Sequence, residues 1–411
     1  MGREQMNRTN RIKPGSLVGV ALVALVGCGD STGGSDDGAP TNNGATNNGA
    51  TNNGATNNGG GTNNGGGTNN GATNNGDLEG WSGGPAVVLT SDFAESNVVL
   101  LQAGADAMTV PGGPWSGDVA LVRSAAAESG RFAVIDRLQG DIALFEFADG
   151  AVTTTATLGV DPADNPQDAA VAADGAVFVA LYGSPNLLVI GAGEQGMEEV
   201  DLSGLTDDAD GVPDMAFVFA HEGAGRVYVV LQSLAEFVPA GPGVVAVLDV
   251  ATHAVLTDET VRLPGDNPFF AVEVDGVAQL ALVGAFGAPD GRAVTLDLAT
   301  AAVETRFTEA SVEGDILGFV PVVGGWLATI ATADFTTRLV FVSEQGSVEP
   351  LIVSAGYDLG PPSIDPLGAT VLVPDAAEGM GVHVLDASDP TRVVGAAYGV
   401  GGAPARVVLA L

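Results

Sequence analysis

From residue 85 onward the chain repeats one plan: four short β-rich runs separated by Gly, Asp, Asn and Pro, and then the same four again. The clearest unit opens at Asn165-Pro166, runs through Asp168–Ala172, turns at Asp174-Gly175 and continues as Val177–Ala180. Leu187–Ile190 and Met197–Val200 complete it. The next unit follows the same order with Val212–Val218, Arg226–Val230, Val244–Asp249 and Val261–Leu263. Further units open near Asp118, Asn267-Pro268, Asp315 and Pro361-Pro362, which makes six complete sets. No long stretch carries the 3.6-residue apolar spacing of an amphipathic helix.

The two ends supply a seventh set. Ala86–Leu89, Val98–Leu101 and Ala107–Val110 are three runs with no first strand before them, and Ala403–Leu411 is a first strand with no blade after it. Pairing them closes a ring and leaves only short, protected edges. An all-β fold is therefore expected: a β-propeller of seven four-stranded blades over residues 85–411, monomeric, with six or eight blades as the alternatives because the first set is weak. The repeated "P…A…DG…VYV…V.VID" pattern of Pro166–Ile190, Pro213–Asp249 and Leu372–Asp386 resembles the YVTN/YncE-like, lactonase-like propellers. That resemblance implies the fold. Its motifs are turn glycines, strand apolars and strand-ending aspartates, so it carries no activity with it.

The first 84 residues are of another kind. Arg3, Arg8, Arg11 and Lys13 precede an apolar run of twelve residues, Ser16–Gly27. As a helix that run rises about 18 Å, too short for a hydrocarbon core of roughly 30 Å, and fits a signal peptide over residues 1–27 better than a membrane span. It closes on Leu25-Val26-Gly27-Cys28, which resembles the lipobox of bacterial lipoproteins. The resemblance implies cleavage before Cys28 and acylation of that residue, hence a lipid bilayer as partner and a place in the cell envelope. The outer membrane or cell surface is favoured over the inner membrane. Cys28 is the only cysteine, so the chain has no internal disulfide and no Cys-based zinc site. Residues 28–84 then form a tether built on Thr-Asn-Asn-Gly-Ala repeats. It is too poor in apolar side chains to fold, and about 40 Å in root-mean-square span.

The formal charge of −36 becomes −39 when residues 1–27 are removed, since four basic groups and one acid leave together. Such a surface repels phosphate backbones, which excludes nucleic acid, and suits cations, basic partners or a saline habitat. Acids stand at or just before the first strand of six units: Asp118, Asp164/Asp168, Asp210/Asp214, Asp266, Asp315 and Asp358; Arg406 takes the equivalent place in the closing blade. In a propeller those positions ring the top face. The sharper expectation is an acidic mouth, with Asp168, Asp214, Asp266, Asp315 and Arg406 meeting a protein or small-molecule ligand. The plainer one is an acidic protein sampled at chosen windows.

Asp207, Asp208, Asp210 and Asp214 resemble the Asp-rich loops of thrombospondin-type repeats, which implies a candidate calcium site, though the full EF-hand spacing is missing. Gln232–Gly243 is a long second-to-third-strand loop, with Phe237 and Leu234 as partner anchors or as caps on the next blade. His221, His253 and His383 are scattered and read as structural. No nucleophile elbow, P-loop or HExxH motif occurs. The expected function is a membrane-anchored, non-catalytic binding scaffold. The alternative is an extracytoplasmic hydrolase, lactonase-like or metal-dependent, at the channel mouth.

Overall fold

A computed structural model describes residues 84–411 apart from 103–106, 124–129, 195, 207–209, 236, 366–367, 378–380, 394–399 and 401–404. Cys28, the signal peptide, the tether, Asp207 and Asp208 lie outside the described residues. Seven four-stranded antiparallel blades follow one another. Blade 2 comprises Val119–Arg123, Arg131–Asp136, Asp141–Ala148 and Ala151–Gly159. Blade 3 comprises Pro166–Val171, Val177–Leu181, Asn186–Ile190 and Met197–Asp201. Blade 4 comprises Met215–His221, Arg226–Leu231, Pro242–Asp249 and Val261–Asp266, and blade 5 Pro268–Val274, Val277–Leu282, Arg292–Asp297 and Val303–Thr308. Blade 6 comprises Asp315–Val322, Gly325–Ala331, Thr337–Ser343 and Val348–Val353, and blade 7 Ser363–Ile364, Thr370–Pro374, Val382–Asp386 and Asp389–Val393.

Blade 1 is the joint. Its innermost strand is Ala405–Ala410, which pairs antiparallel with Ala86–Ser91 in the register Ala86↔Ala410 to Leu89↔Val407. Glu95–Leu101 and the two-residue Met108–Thr109 follow outward, and Trp115–Ser116 also pairs with the start of Glu95–Leu101. The weakness of the first set in sequence thus has a physical counterpart: its outermost strand is only a fragment.

A blade is sandwiched between two neighbours, so both faces of its inner strands are buried and the runs read as continuous apolar stretches rather than alternating ones. Blade 4 shows the division: Val218 and Ala220 of its first strand pack with blade 3, while Phe219 packs with Tyr228 and the strands of blade 5. Buried clusters of this kind continue between blades 5 and 6, 6 and 7, 7 and 1, and 1 and 2. The core is therefore a ring of inter-blade layers around an open centre.

The motif residues serve the turns. Asp174 accepts from Ala176 N at 2.9 Å, and Gly175 takes φ +88°. Asp249, Asp297 and Asp386 end third strands and fold back on the following turn: Asp249 accepts from Ala251 N and Thr252 N, Asp297 from Ala299 N and Thr300 N, and Asp386 from Ser388 N. Asn165 and Asn267, each before the proline that opens a blade, adopt φ +50°, a conformation asparagine tolerates well.

Candidate functional site

The seven innermost strands run from the top face downward, so fourth-to-first and second-to-third connections share the top. Between the strands lies a cavity of about 830 Å³, bordered by residues of all seven blades. Its walls are largely apolar: Leu121 and Val122 of blade 2, Phe217 of blade 4, Phe269 and Phe270 of blade 5, Leu317 of blade 6 and Leu359 before blade 7. Arg137, Gln167, Asp168, Tyr357, Asp358 and Arg406 stand toward the top; His221, Glu273 and Asp275 border it at the other end. A volume and lining of this kind suit a small-molecule site.

Of the residues expected at the mouth, Asp168, Asp358 and Arg406 border this cavity, whereas Asp214, Asp266, Asp315 and Phe237 do not. Asp168 is buried at the start of blade 3. One oxygen accepts from Ala169 N at 2.9 Å and the other from Val218 N of blade 4 at 2.7 Å, a bond across two blades. Burial pushes its carboxyl up to about 7, against the pull of those two amides and of the Arg137 charge. Asp214, in a left-handed conformation of φ +52°, accepts from Leu234 N at 2.7 Å and so pins the long loop of blade 4. Asp315 accepts from Gly287 N with both oxygens, at 3.0 and 2.9 Å; burial and the nearby Asp290 charge hold its carboxyl above the usual range. Asp118 pairs with Arg137 at 2.8 Å. Asp358 accepts from the Ser354 hydroxyl. Asp266 closes the fourth strand of blade 4.

Arg406 differs. Its Nε donates to Ser91 O at 3.3 Å and its guanidinium lies 4.4 Å from the centroid of the Phe93 ring. Burial lowers its pKa from the usual value, and Asp358 works the other way. Tyr357, also on the cavity wall, is pushed up to about 12 by burial and then by the Asp315 charge.

The long loop of blade 4 folds as a miniature hairpin, Leu234–Ala235 against Val238–Pro239. Leu234 is buried, so it caps the blade, while Phe237 at φ +66° points outward. Phe237 is not isolated. Phe93, Leu138, Phe286 and Phe335 occupy the equivalent loops of blades 1, 2, 5 and 6, and all five side chains are between 43% and 71% exposed. The top rim is thus apolar as well as acidic. Asp210, of the candidate calcium loop, accepts from Val212 N in its own turn at 2.8 Å. Among the described residues no three His, Cys, Asp or Glu side chains stand close enough to hold a metal ion.

The histidines are placed by partners. His253 Nδ1 lies 2.8 Å from Glu198 of blade 3, and His383 Nε2 lies 2.7 Å from the buried Asp375. Burial raises the Asp375 carboxyl, but its bonds from His383 and Ala377 N outweigh that and keep it low. Sequence reasoning missed Arg137, Tyr357, Gln167 and the channel phenylalanines.

Comparison with solved structures finds the same fold in proteins named as lactonases. The periplasmic gluconolactonase of Pseudomonas aeruginosa superposes with a TM-score of 0.54 at 15% identity, covering 80% of this chain and 98% of that one. Proteins assigned as 6-phosphogluconolactonases from Bacteroides fragilis and Bacteroides uniformis each give a TM-score of 0.51 at 12% identity, covering 74% of this chain and 91% and 92% of theirs. At such identities the likeness is one of fold alone. No known family profile matches the chain, and no curated protein matches it by sequence.

Proposed function

We propose that the protein is an exported lipoprotein of the cell envelope whose propeller binds a ligand through its top face and channel without catalysing a reaction. The observation that carries the reading is the state of the carboxylates: Asp118, Asp168, Asp214, Asp315 and Asp358 each hold a backbone amide, a hydroxyl or an arginine of the scaffold, and the channel below them is walled by Phe, Leu and Val. Catalytic carboxylates need a free lone pair aimed at the reacting atom; each of these is already engaged by the scaffold, Asp168 and Asp315 with both oxygens. A large apolar cavity with few polar groups is the ordinary form of a binding site.

The anchor fits the same picture. The apolar run that ends at Cys28 supports export and acylation, and Leu411 N donates to Pro85 O at 2.9 Å, on the face opposite the mouth. The described chain therefore begins on the face opposite the mouth, which leaves the mouth clear of the point where a tether would join.

One observation favours the hydrolase instead. Asp168 borders the channel with a pKa near neutrality, as a general base would. The two readings separate in one experiment on the protein from residue 28 onward. The binding reading expects saturable uptake of the neutral fluorophore phenylnaphthylamine and no hydrolysis of gluconolactone above the buffer rate. Hydrolysis that scales with protein and vanishes in Asp168→Asn would establish the enzyme and overturn the scaffold.

A further inference from the structure

Two arginines border the channel in a protein that has few basic groups, and both sit on neighbouring blades, Arg137 on blade 2 and Arg406 on blade 1. Their donors are incompletely used. Arg137 gives one terminal nitrogen to Asp118, while its Nε is buried with no acceptor. Arg406 uses Nε alone; among the described residues its two terminal nitrogens have no hydrogen bond, and no carboxylate lies within ion-pair distance. Asp358, the nearest acid in electrostatic terms, gives its carboxylate to Ser354. A guanidinium has five N–H donors in a planar fork that matches a carboxylate, and a donor buried without an acceptor, as Arg137 Nε is, is costly. The terminal nitrogens of Arg406 are not buried and stay open to an acceptor that enters the channel.

The remaining walls set the rest of the molecule. Phe217, Phe269, Phe270, Leu317 and Leu359 offer an apolar lining, and Glu273 and Asp275 border the cavity at the end away from the arginines. Phe286, exposed on the rim, packs edge-on against Phe269 at 5.1 Å and continues that lining outward. Phe93, also exposed on the rim, lies with its ring under the Arg406 guanidinium.

We infer that the channel takes an amphipathic anion: a long-chain monocarboxylate whose apolar tail lies among the channel phenylalanines and whose carboxylate is held by Arg406, with Arg137 beside it. The inference rests on the binding reading proposed above and names the class of ligand for that site. The acidic exterior repels anions at long range, so head-group preference is expected to be clearest near 0.15 M salt, where charges are screened beyond about 8 Å.

The test is displacement of phenylnaphthylamine from the protein (residue 28 onward) by dodecanoate, dodecanol and dodecyltrimethylammonium, below their micelle concentrations and at about pH 8, where the acid is ionised. Dodecanoate is expected to bind at least about tenfold tighter than dodecanol, the margin of a charge-assisted hydrogen bond. The trimethylammonium compound is expected to bind weakest. Arg406→Met should erase the preference while dodecanol still binds, and Arg406→Lys should restore part of it. Equal affinity for dodecanoate and dodecanol in the wild type, or a preference that survives Arg406→Met, overturns the inference and leaves the binding reading standing. Failure of phenylnaphthylamine to bind at all refutes the binding reading itself, and the inference with it. Because dodecanol is measured on the same variant, a misfolded Arg406→Met is recognised by its loss of both ligands.

Discussion

Replacing Asp168 with asparagine separates a scaffold carboxyl from a free one. In the folded protein this group is buried and its pKa stands at about 7 instead of the ordinary 3.8. The native state therefore keeps a proton that the unfolded chain has released, and stability falls as pH rises between those values. At about 1.4 kcal/mol per pH unit, the gap corresponds to a loss on the order of 4 kcal/mol, complete once pH exceeds about 7. Asparagine has no proton to lose. Its carbonyl can keep the bond from Val218 N, but its amide faces Ala169 N, a donor against a donor, at a cost of about 1 kcal/mol. The wild type and Asp168→Asn should therefore cross. Near pH 3 the variant is expected to be less stable by about 1 kcal/mol, the two should match near about pH 4.5, and near pH 8 the variant should be more stable by about 3 kcal/mol. Urea unfolding midpoints across that range measure it. A residual fall with pH should persist in the variant, because Glu309, held by Gly291 N and Ile316 N, is pushed up by burial to about 8. Asp168→Asn running below wild type by the same margin at both ends would refute the reasoning, since the carboxyl would then be ionised throughout.

Other consequences are simpler to state. Asp214→Ala orphans Leu234 N and should cost about 1–3 kcal/mol, with new proteolysis in residues 232–243 as the local signature. His383→Ala leaves Asp375 buried without its partner; the depressed Asp375 pKa stabilises the fold above 3.8 and loses that effect as pH falls through its folded value. The variant should thus be destabilised by about 1–3 kcal/mol at neutral pH and approach wild type in acid, as thermal melts across pH will show. Removing residues 405–411 takes away the innermost strand of blade 1, exposes the inner edge of Ala86–Ser91, and should abolish cooperative unfolding in calorimetry. Millimolar calcium should move the melting temperature by less than about 1 °C, because Asp214 is already bound to the hairpin and Asp210 to its own turn; a larger rise would show a cation site in that loop.

The ring was readable from sequence because each blade repeats the same chemistry. Asp174-Gly175 turns, prolines after Asn165 and Asn267, and runs apolar on both sides all follow from packing one blade between two others. The closing pair also follows, because Ala405–Leu411 lacks the partners that Ala86–Leu89 lacks in turn. The site was less legible. Sequence shows an aspartate at a loop position but not where its oxygens point, and the difference between a mouth lined with free charge and one clamped by it lies there. Asp168 reaches Val218, fifty residues on, and Asp214 reaches Leu234 across a loop whose fold depends on it. Phe237 and Leu234 are three residues apart, yet one faces solvent and the other the core, because Phe237 takes φ +66°. Arg137 and Arg406 come to border one channel only through ring closure; the scarcity of basic residues was the one signal that could have singled them out.

The measurement that bears most directly on the channel is the uptake of phenylnaphthylamine by wild type and by two obstructed forms, Val122→Trp and Ala271→Trp, set on the walls contributed by blades 2 and 5. The account predicts saturable one-to-one binding to wild type and at least about tenfold weaker binding to each obstructed form, with thermal melts close to wild type. Binding that is undiminished in both would place the ligand outside the channel and contradict the account.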